Sequence, residues 1–167
     1  MAQTEGKEKK ILIVSDTHGR EETLYRVFQR EEPFDLLIHC GDVEGGENDI
    51  ERRAGCACVM VTGNNDFFSA LPPERELQIG EYHAWVTHGH HYYVSMGTER
   101  LAEEARQRGV DIVMFGHTHK PYVSTEAGVT LLNPGSLSYP RQEGRRATYM
   151  VMTLDEEGRA SYEIKYA

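Results

Sequence analysis

Four short stretches of the chain are apolar at nearly every position instead of every second one: 11–14, 34–40, 56–62 and 112–115. A strand with one wet face alternates, so an unbroken run of this length argues for a strand buried on both faces. Such strands need a covering layer on each side. Between the first two runs, Leu24, Val27 and Phe28 recur at helical spacing over 21–30 until Pro33 closes the segment, and a second short helix is expected at 48–54 after Gly45-Gly46. Two strand-helix units followed by a third strand imply parallel pairing with right-handed crossovers.

The pattern changes beyond Leu71-Pro72-Pro73. Segments 76–79 and 82–87 read as a hairpin-like pair around Gly80-Glu81. A helix is expected over 98–108, with Leu101, Ala102 and Ala105 as its apolar stripe and Gly109 as its stop. Runs at 122–127, 129–132, 147–154 and 160–166 read as strands, separated by turns at Gly128, Asn133-Pro134-Gly135 and Glu157-Gly158. The expected fold is α/β, a single-domain four-layer sandwich of two mixed β-sheets flanked by α-helices, spanning 11–167 behind a polar leader at 1–10.

At 167 residues the chain is long enough for one domain whose core needs no disulfide or structural metal. Its formal net charge of -9 disfavours a nonspecific grip on phosphate backbones, so no strong nucleic-acid binding is expected. No stretch has the apolar length to span a bilayer and the start carries no apolar signal region, which leads us to expect a cytoplasmic protein with no membrane partner. The cysteines, Cys40, Cys56 and Cys58, are odd in number and fit a reducing compartment. Cys56 and Cys58 lie two apart on one strand face and read as small core residues.

Chemistry concentrates in five packets, each following an apolar run: Asp16-Thr17-His18, Gly41-Asp42, Gly63-Asn64-Asn65-Asp66, His88-Gly89-His90 and Gly116-His117-Thr118-His119. Taken singly, each has an ordinary explanation. Asp16 and His18 would point the same way from an extended segment, yet an isolated Asp-x-His is more often a turn and a surface histidine. Asp42 could cap a helix, and Asn64 could close an Asx turn. Histidine clusters directly after buried strands are harder to explain as packing. Only His39, read as a satisfied strand residue, and His83, read as solvated, lie away from the clusters, and His91 extends one of them. Carboxylate, amide oxygen and imidazole together suit divalent cations, and the number of groups suffices for two ions, which points to phosphoryl chemistry.

In order along the chain, Asp-x-His, Gly-Asp, Gly-Asn-x-Asp, His-Gly-His and Gly-His-Thr-His resemble the calcineurin-like metallophosphoesterase superfamily. The short length, the His-Gly-His form and the Asn133-Pro134-Gly135-Ser136 turn resemble its small bacterial and archaeal phosphodiesterase branch. The resemblance implies that Asp16, His18 and His119 hold one metal ion, that Asn64, His88 and His117 hold a second, and that Asp42 bridges them. It implies hydrolysis of small organic or nucleotide-like phosphate esters by a hydroxide held between two divalent ions, Mn first, with Fe, Zn, Ni or Co as alternatives. Asn65 stands where many members carry His. Asn cannot serve as a general acid, which leaves leaving-group assistance to His90 or to none. Asn65 is expected at the catalytic or substrate position, and Asp66 beside it as a tether of its own loop. Arg141, with Arg145 and Arg146 near it in sequence, can reach an anionic substrate or simply decorate a solvated loop. Other readings are a phosphomonoesterase or phosphoprotein phosphatase, and a scaffold like the retromer subunit of this fold, which would show missing ligands. Homo-oligomerisation stays open.

Overall fold

The computed structural model describes residues 6–167. Residues 1–5 of the expected leader lie outside the described residues. In chain order the elements are β1 (Lys9–Val14), α1 (Glu22–Glu31), β2 (Leu36–His39), α2 (Glu47–Ala54) and β3 (Ala57–Met60). After these come β4 (Glu74–Ile79), β5 (Tyr82–Thr87), a short 3-10 turn (His90–Tyr92), α3 (Glu99–Arg108), β6 (Ile112–Met114), β7 (Pro121–Glu126), β8 (Val129–Pro134), β9 (Thr148–Leu154) and β10 (Ala160–Tyr166). One sheet has the order β10-β9-β1-β2-β3 and the other β4-β5-β6-β8-β7. Both are mixed, because β1, β2 and β3 pair in parallel, as do β5, β6 and β8, while the outer partners run antiparallel.

The unbroken apolar runs are explained by the layers they separate. Along β1, Ile11 and Ile13 enter the core between the sheets, while Leu12 and Val14 enter a second core shared with Leu24, Val27 and Phe28 of α1 and Ile50 of α2. On β6, Ile112 and Met114 face the first sheet, and Val113 packs with Leu101, Ala102 and Ala105 of α3. Each central strand therefore lies between two apolar layers, giving the expected sandwich of two mixed sheets flanked by helices. No helix among the described residues is long and apolar enough to cross a membrane.

Departures from the sequence reading are local. β1 begins at Lys9, inside the expected leader, because its ladder with β9 reaches that far. β8 runs on through Pro134, whose missing N–H is harmless in the last position of the strand. Cys56 and Cys58 share a face as expected but are only half-buried, since β3 is a sheet edge. The 3-10 turn at His90–Tyr92 has no counterpart in the periodicity.

Glu31 ties the last turn of α1 to three strands. Its side chain is 2% exposed and lies 2.7 Å from Lys10 Nζ and 2.6 Å from Lys165 Nζ. The Tyr149 hydroxyl donates to the same carboxylate. Burial alone would raise its pKa, but the bonds from Lys10, Lys165 and Tyr149 outweigh that and bring it from 4.5 to about 2. A carboxyl whose pKa is lower in the folded state stabilises the fold above its unfolded value and loses that contribution as pH falls towards its folded value. Thermal stability should therefore drop between about pH 4.5 and about pH 2, and Glu31→Gln should flatten this segment of the Tm profile while lowering Tm at pH 7. An unchanged slope in the variant would assign acid sensitivity to other groups.

Candidate metal centre

The packets converge where the parallel strands of both sheets end. Asp16 and His18 follow β1, Asp42 follows β2, Asn64 follows β3, His88 follows β5, and His117 and His119 follow β6. Asp16 and His18 do not meet by projecting from extended chain. Their φ angles are 55° and 50°, and Asp42, His117 and His119 are also left-handed at 56°, 72° and 59°. Asp and His enter this region more readily than most residues, though at some energetic cost. The turned backbone brings neighbouring side chains to the same side. The route is therefore a turn and not the extended segment expected from the two-residue spacing.

Two glycines allow the close approach. A Cβ on Gly63 would lie 2.1 Å from Asp42 Oδ1, and one on Gly116 would lie 2.1 Å from Ser15 Oγ and 2.6 Å from Asp16 Oδ2. The Asp16 and Asp42 carboxylates thus lie directly against the backbone of the neighbouring packets, where a larger residue would collide. Asn133 fastens the His117 loop by donating to Gly116 O and Thr118 Oγ1, and Ser136 Oγ donates to Asp16 O. The Asn-Pro-Gly-Ser turn therefore braces the loops that carry Asp16 and His117.

The donors fall into two overlapping sets. In the first, His119 Nε2 lies 3.2 Å and His18 Nε2 3.6 Å from Asp16 Oδ1, and the two Nε2 atoms are 3.3 Å apart. In the second, Asn64 Oδ1 is 3.1 Å from both His88 Nε2 and His117 Nδ1. Asp42 Oδ2 stands between the sets, 3.6 Å from His18 Nε2 and 3.4 Å from His88 Nε2. Ligand atoms of Asp16, His18, Asp42 and His119 all lie within 4.8 Å of one another, a group able to hold a metal ion.

Hydrogen bonding aims the imidazoles. His88 Nδ1 donates to Cys40 O at 2.8 Å, His119 Nδ1 to Tyr139 O at 2.7 Å, and His18 Nδ1 to Glu44 Oε1 at 3.1 Å. Those oxygens only accept, so the proton sits on Nδ1 and each Nε2 points into the centre. Asp16 Oδ2 accepts from Ser15 Oγ and from the His117 backbone N–H, while Oδ1 is buried without a well-formed hydrogen bond. A buried, unmatched carboxylate oxygen facing imidazole nitrogens is a donor set that fits a divalent cation.

The titration behaviour agrees. Burial would raise the Asp16 carboxyl, but His119, His18 and His88 hold it well below the usual range. Burial likewise opposes the shift at Asp42, which His88 and Asn65 bring down to about 2. His18 is raised to about 9, chiefly by Asp16 and against burial, with help from Glu44. At His88, burial is outweighed by Asp42 and Asp16 and the pKa rises. This is a place that attracts positive charge. His117 and His90 shift the other way, His90 to about 4, through burial first and neighbouring imidazoles second.

All seven residues read as metal ligands meet here; the remaining site residues have varied surroundings. Asn65 points its side chain at Asp42: its Nδ2 donates to Asp42 Oδ2 and its backbone N–H to Asp42 Oδ1, both at 2.9 Å. Asp66 accepts from the N–H groups of Val43, Glu44 and Gly63, tying the loops after β2 and β3 together. His90 sits on the 3-10 turn, its ring 5.4 Å from that of His88 and 6.1 Å from that of His117. Arg141 is exposed and lines a cleft of about 640 Å³ with His18, Glu44, His119, Tyr139 and Arg145. His39 is satisfied at both nitrogens, by Thr17 Oγ1 and the Gly41 N–H, and His83 lies half-exposed beside Glu76. Glu44 was missed by sequence reasoning. Its place two residues beyond Asp42 was the only available signal, and the carbonyls of Cys40 and Tyr139 carry none.

A family model described as "Calcineurin-like phosphoesterase superfamily domain" matches residues 10–157. The chain is 34% identical to "Probable metallophosphoesterase YsnB" of Bacillus subtilis over 148 residues, covering 88% of this chain and 85% of the relative. It is 28% identical to "Phosphodiesterase MJ0936" of Methanocaldococcus jannaschii, covering 75% and 82%. Among solved structures, a predicted phosphoesterase of Streptococcus pneumoniae TIGR4 superposes with a TM-score of 0.77 at 25% identity and 99% coverage of both chains. Vacuolar Protein Sorting 29 of Cryptosporidium parvum shares the fold with a TM-score of 0.76 at 20% identity, covering 96% and 98%.

The Asn65 bonds make a testable difference. Asn65→Ala should weaken Mn²⁺ binding by about tenfold, read by calorimetric titration, because the carboxylate facing both sets loses the group that orients it. A variant with wild-type Mn²⁺ affinity and a raised KM for a diester would instead place Asn65 against the substrate.

Proposed function

This chain belongs to the calcineurin-like phosphoesterase superfamily, and on that footing we propose that it is a two-metal phosphodiesterase acting on small organic or nucleotide-like phosphate esters. One observation carries the reading: Asp42 Oδ2 lies within 3.6 Å of an imidazole nitrogen from each donor set, as a shared ligand must. Asp16, His18 and His119 with Asp42 would hold one divalent ion, and Asn64, His88 and His117 with Asp42 the other. The oxygen and nitrogen donors suit Mn²⁺ foremost, and also Fe, Zn, Ni or Co. When bound, such a pair would acidify a water for attack on phosphorus and neutralise the phosphate oxygens.

The chain's own groups supply the rest. Cys40 O, Tyr139 O and Glu44 lock three imidazoles in the orientation that presents Nε2. Asp66 and Asn65 fix the Asp42 carboxylate against the Gly63 loop. Arg141, with Arg145 across the same cleft, attracts and aligns the phosphate. His90, with a pKa near 4, is neutral at pH 7, so it would hydrogen-bond to the ester oxygen instead of delivering a proton as an imidazolium. Weak leaving-group assistance favours esters whose alkoxide or aryloxide departs readily. The diesterase reading over a monoesterase also draws on the relative named a phosphodiesterase. Seven competent donors speak for a hydrolase over a scaffold. The three unpaired cysteines suit a cytoplasmic setting, and we take 11–167 as one catalytic domain.

With Mn²⁺ the protein should hydrolyse bis-p-nitrophenyl phosphate faster than p-nitrophenyl phosphate, and Asp42→Asn should lose more than about 100-fold in rate. Equal rates for wild type and Asp42→Asn would rule out the assignment. A faster monoester would redirect it to a phosphomonoesterase.

A further inference from the structure

The loop that carries Asn64 and Asn65 continues into two aromatic residues left largely uncovered among the described residues. Phe67 is 76% and Phe68 107% exposed, consecutive in the chain and directly after Asn65, which bonds to Asp42, and Asp66. Single exposed apolar residues are commonplace, but an adjacent pair of large rings in water is harder to keep without a use. Phe68 also holds a φ of 60°, a conformation that is a genuine outlier for a bulky side chain. The root of this loop is firm, because Asp66 is bonded to Val43, Glu44 and Gly63. The rings are thus presented from a fixed point, and strained backbone next to a site loop invites a functional explanation.

Phe67 and Phe68 line a groove of about 680 Å³ together with Asn65, Asp66, Glu44, Glu47 and Glu51. Glu44 also walls the cleft that holds His18, His119, Arg141 and Arg145. The approach to the centre is therefore divided by Glu44 into a basic flank and an acidic, aromatic flank. A phosphate group is drawn to the first and repelled from the second. An alkyl ester group would bring no donor to match the carboxylates of the second flank. A flat ring bearing N–H donors matches both features, stacking on a phenyl face while its amino group donates to a carboxylate.

We propose that Phe67 and Phe68 form the subsite for the ester group of the substrate and select a planar heteroaromatic ring with N–H donors, as a nucleobase has. This rests on the phosphodiesterase reading and narrows it to nucleotide esters, with the phosphate over Asp42 and the base over the aromatic pair. Phe67 and Phe68 are specificity residues; neither touches the reacting phosphorus.

The test uses the full chain loaded with Mn²⁺ and two probes, adenosine 5′-monophosphate and inorganic phosphate, titrated calorimetrically. The nucleotide should bind about tenfold more tightly than phosphate, the gain expected of one stacked base. In the double variant Phe67→Ala/Phe68→Gly the ratio of the two affinities should fall to about one. Glycine takes a φ of 60° without strain, so this variant removes the rings while relieving the backbone. No nucleotide advantage in the wild type, or an advantage retained in the variant, overturns the proposal. If that happens while bis-p-nitrophenyl phosphate hydrolysis still depends on Asp42, the aromatic subsite alone fails. If neither probe binds and the diester is not hydrolysed, the phosphodiesterase reading fails with it.

Discussion

The carboxylate of Asp42 is the group that both donor sets face, and much of the local structure keeps it in place. Its oxygens accept from the Asn65 side chain and backbone, and its loop is tied through Asp66 to the loop that follows β3. Gly63 leaves the space that the carboxylate fills, since a Cβ there would overlap Oδ1. Placing several charged and polar groups together in a nearly closed space is unfavourable unless a cation or protons compensate them. The depressed carboxyls and the raised His18 and His88 express that compensation by protons. In our account divalent ions take the place of those protons.

Strain and stability are separated in space. Five of the ligand-type residues hold left-handed φ angles, each of which costs on the order of 1–3 kcal/mol when imposed on a non-glycine residue. The layers beneath offset this. Three apolar clusters, one between the sheets and one under each helical face, bury Ile11, Leu12, Trp85, Ile112 and their neighbours. Glu31, far from the centre, fastens α1 to strands of the same sheet. Rigid strands thus carry donor side chains on loops whose conformations would not survive in a softer frame.

Much of the fold was legible because strands buried on both faces write unbroken apolar runs, and 11–14 and 112–115 divide residue by residue between two cores as that rule requires. The residues that converge at the centre were legible as well, since carboxylate and imidazole directly after such runs have few packing uses. The route by which they meet was not. Asp16 and His18 share a side as the two-residue spacing suggests, yet through left-handed backbone and not through an extended segment. Nor could the sequence show that carbonyls of Cys40 and Tyr139 aim two imidazoles, because a backbone oxygen looks the same at every position. Asn65 is identified by its type as unable to give a proton, yet its bonds to Asp42 depend on a loop geometry that only the folded chain displays.

The most direct measurement is the anomalous-difference density of a crystal grown with Mn²⁺. The account predicts two peaks per chain about 3.5–4 Å apart. Asp42 should contact both, with Asp16, His18 and His119 around one and Asn64, His88 and His117 around the other. A single peak, or two peaks that Asp42 does not join, would contradict it.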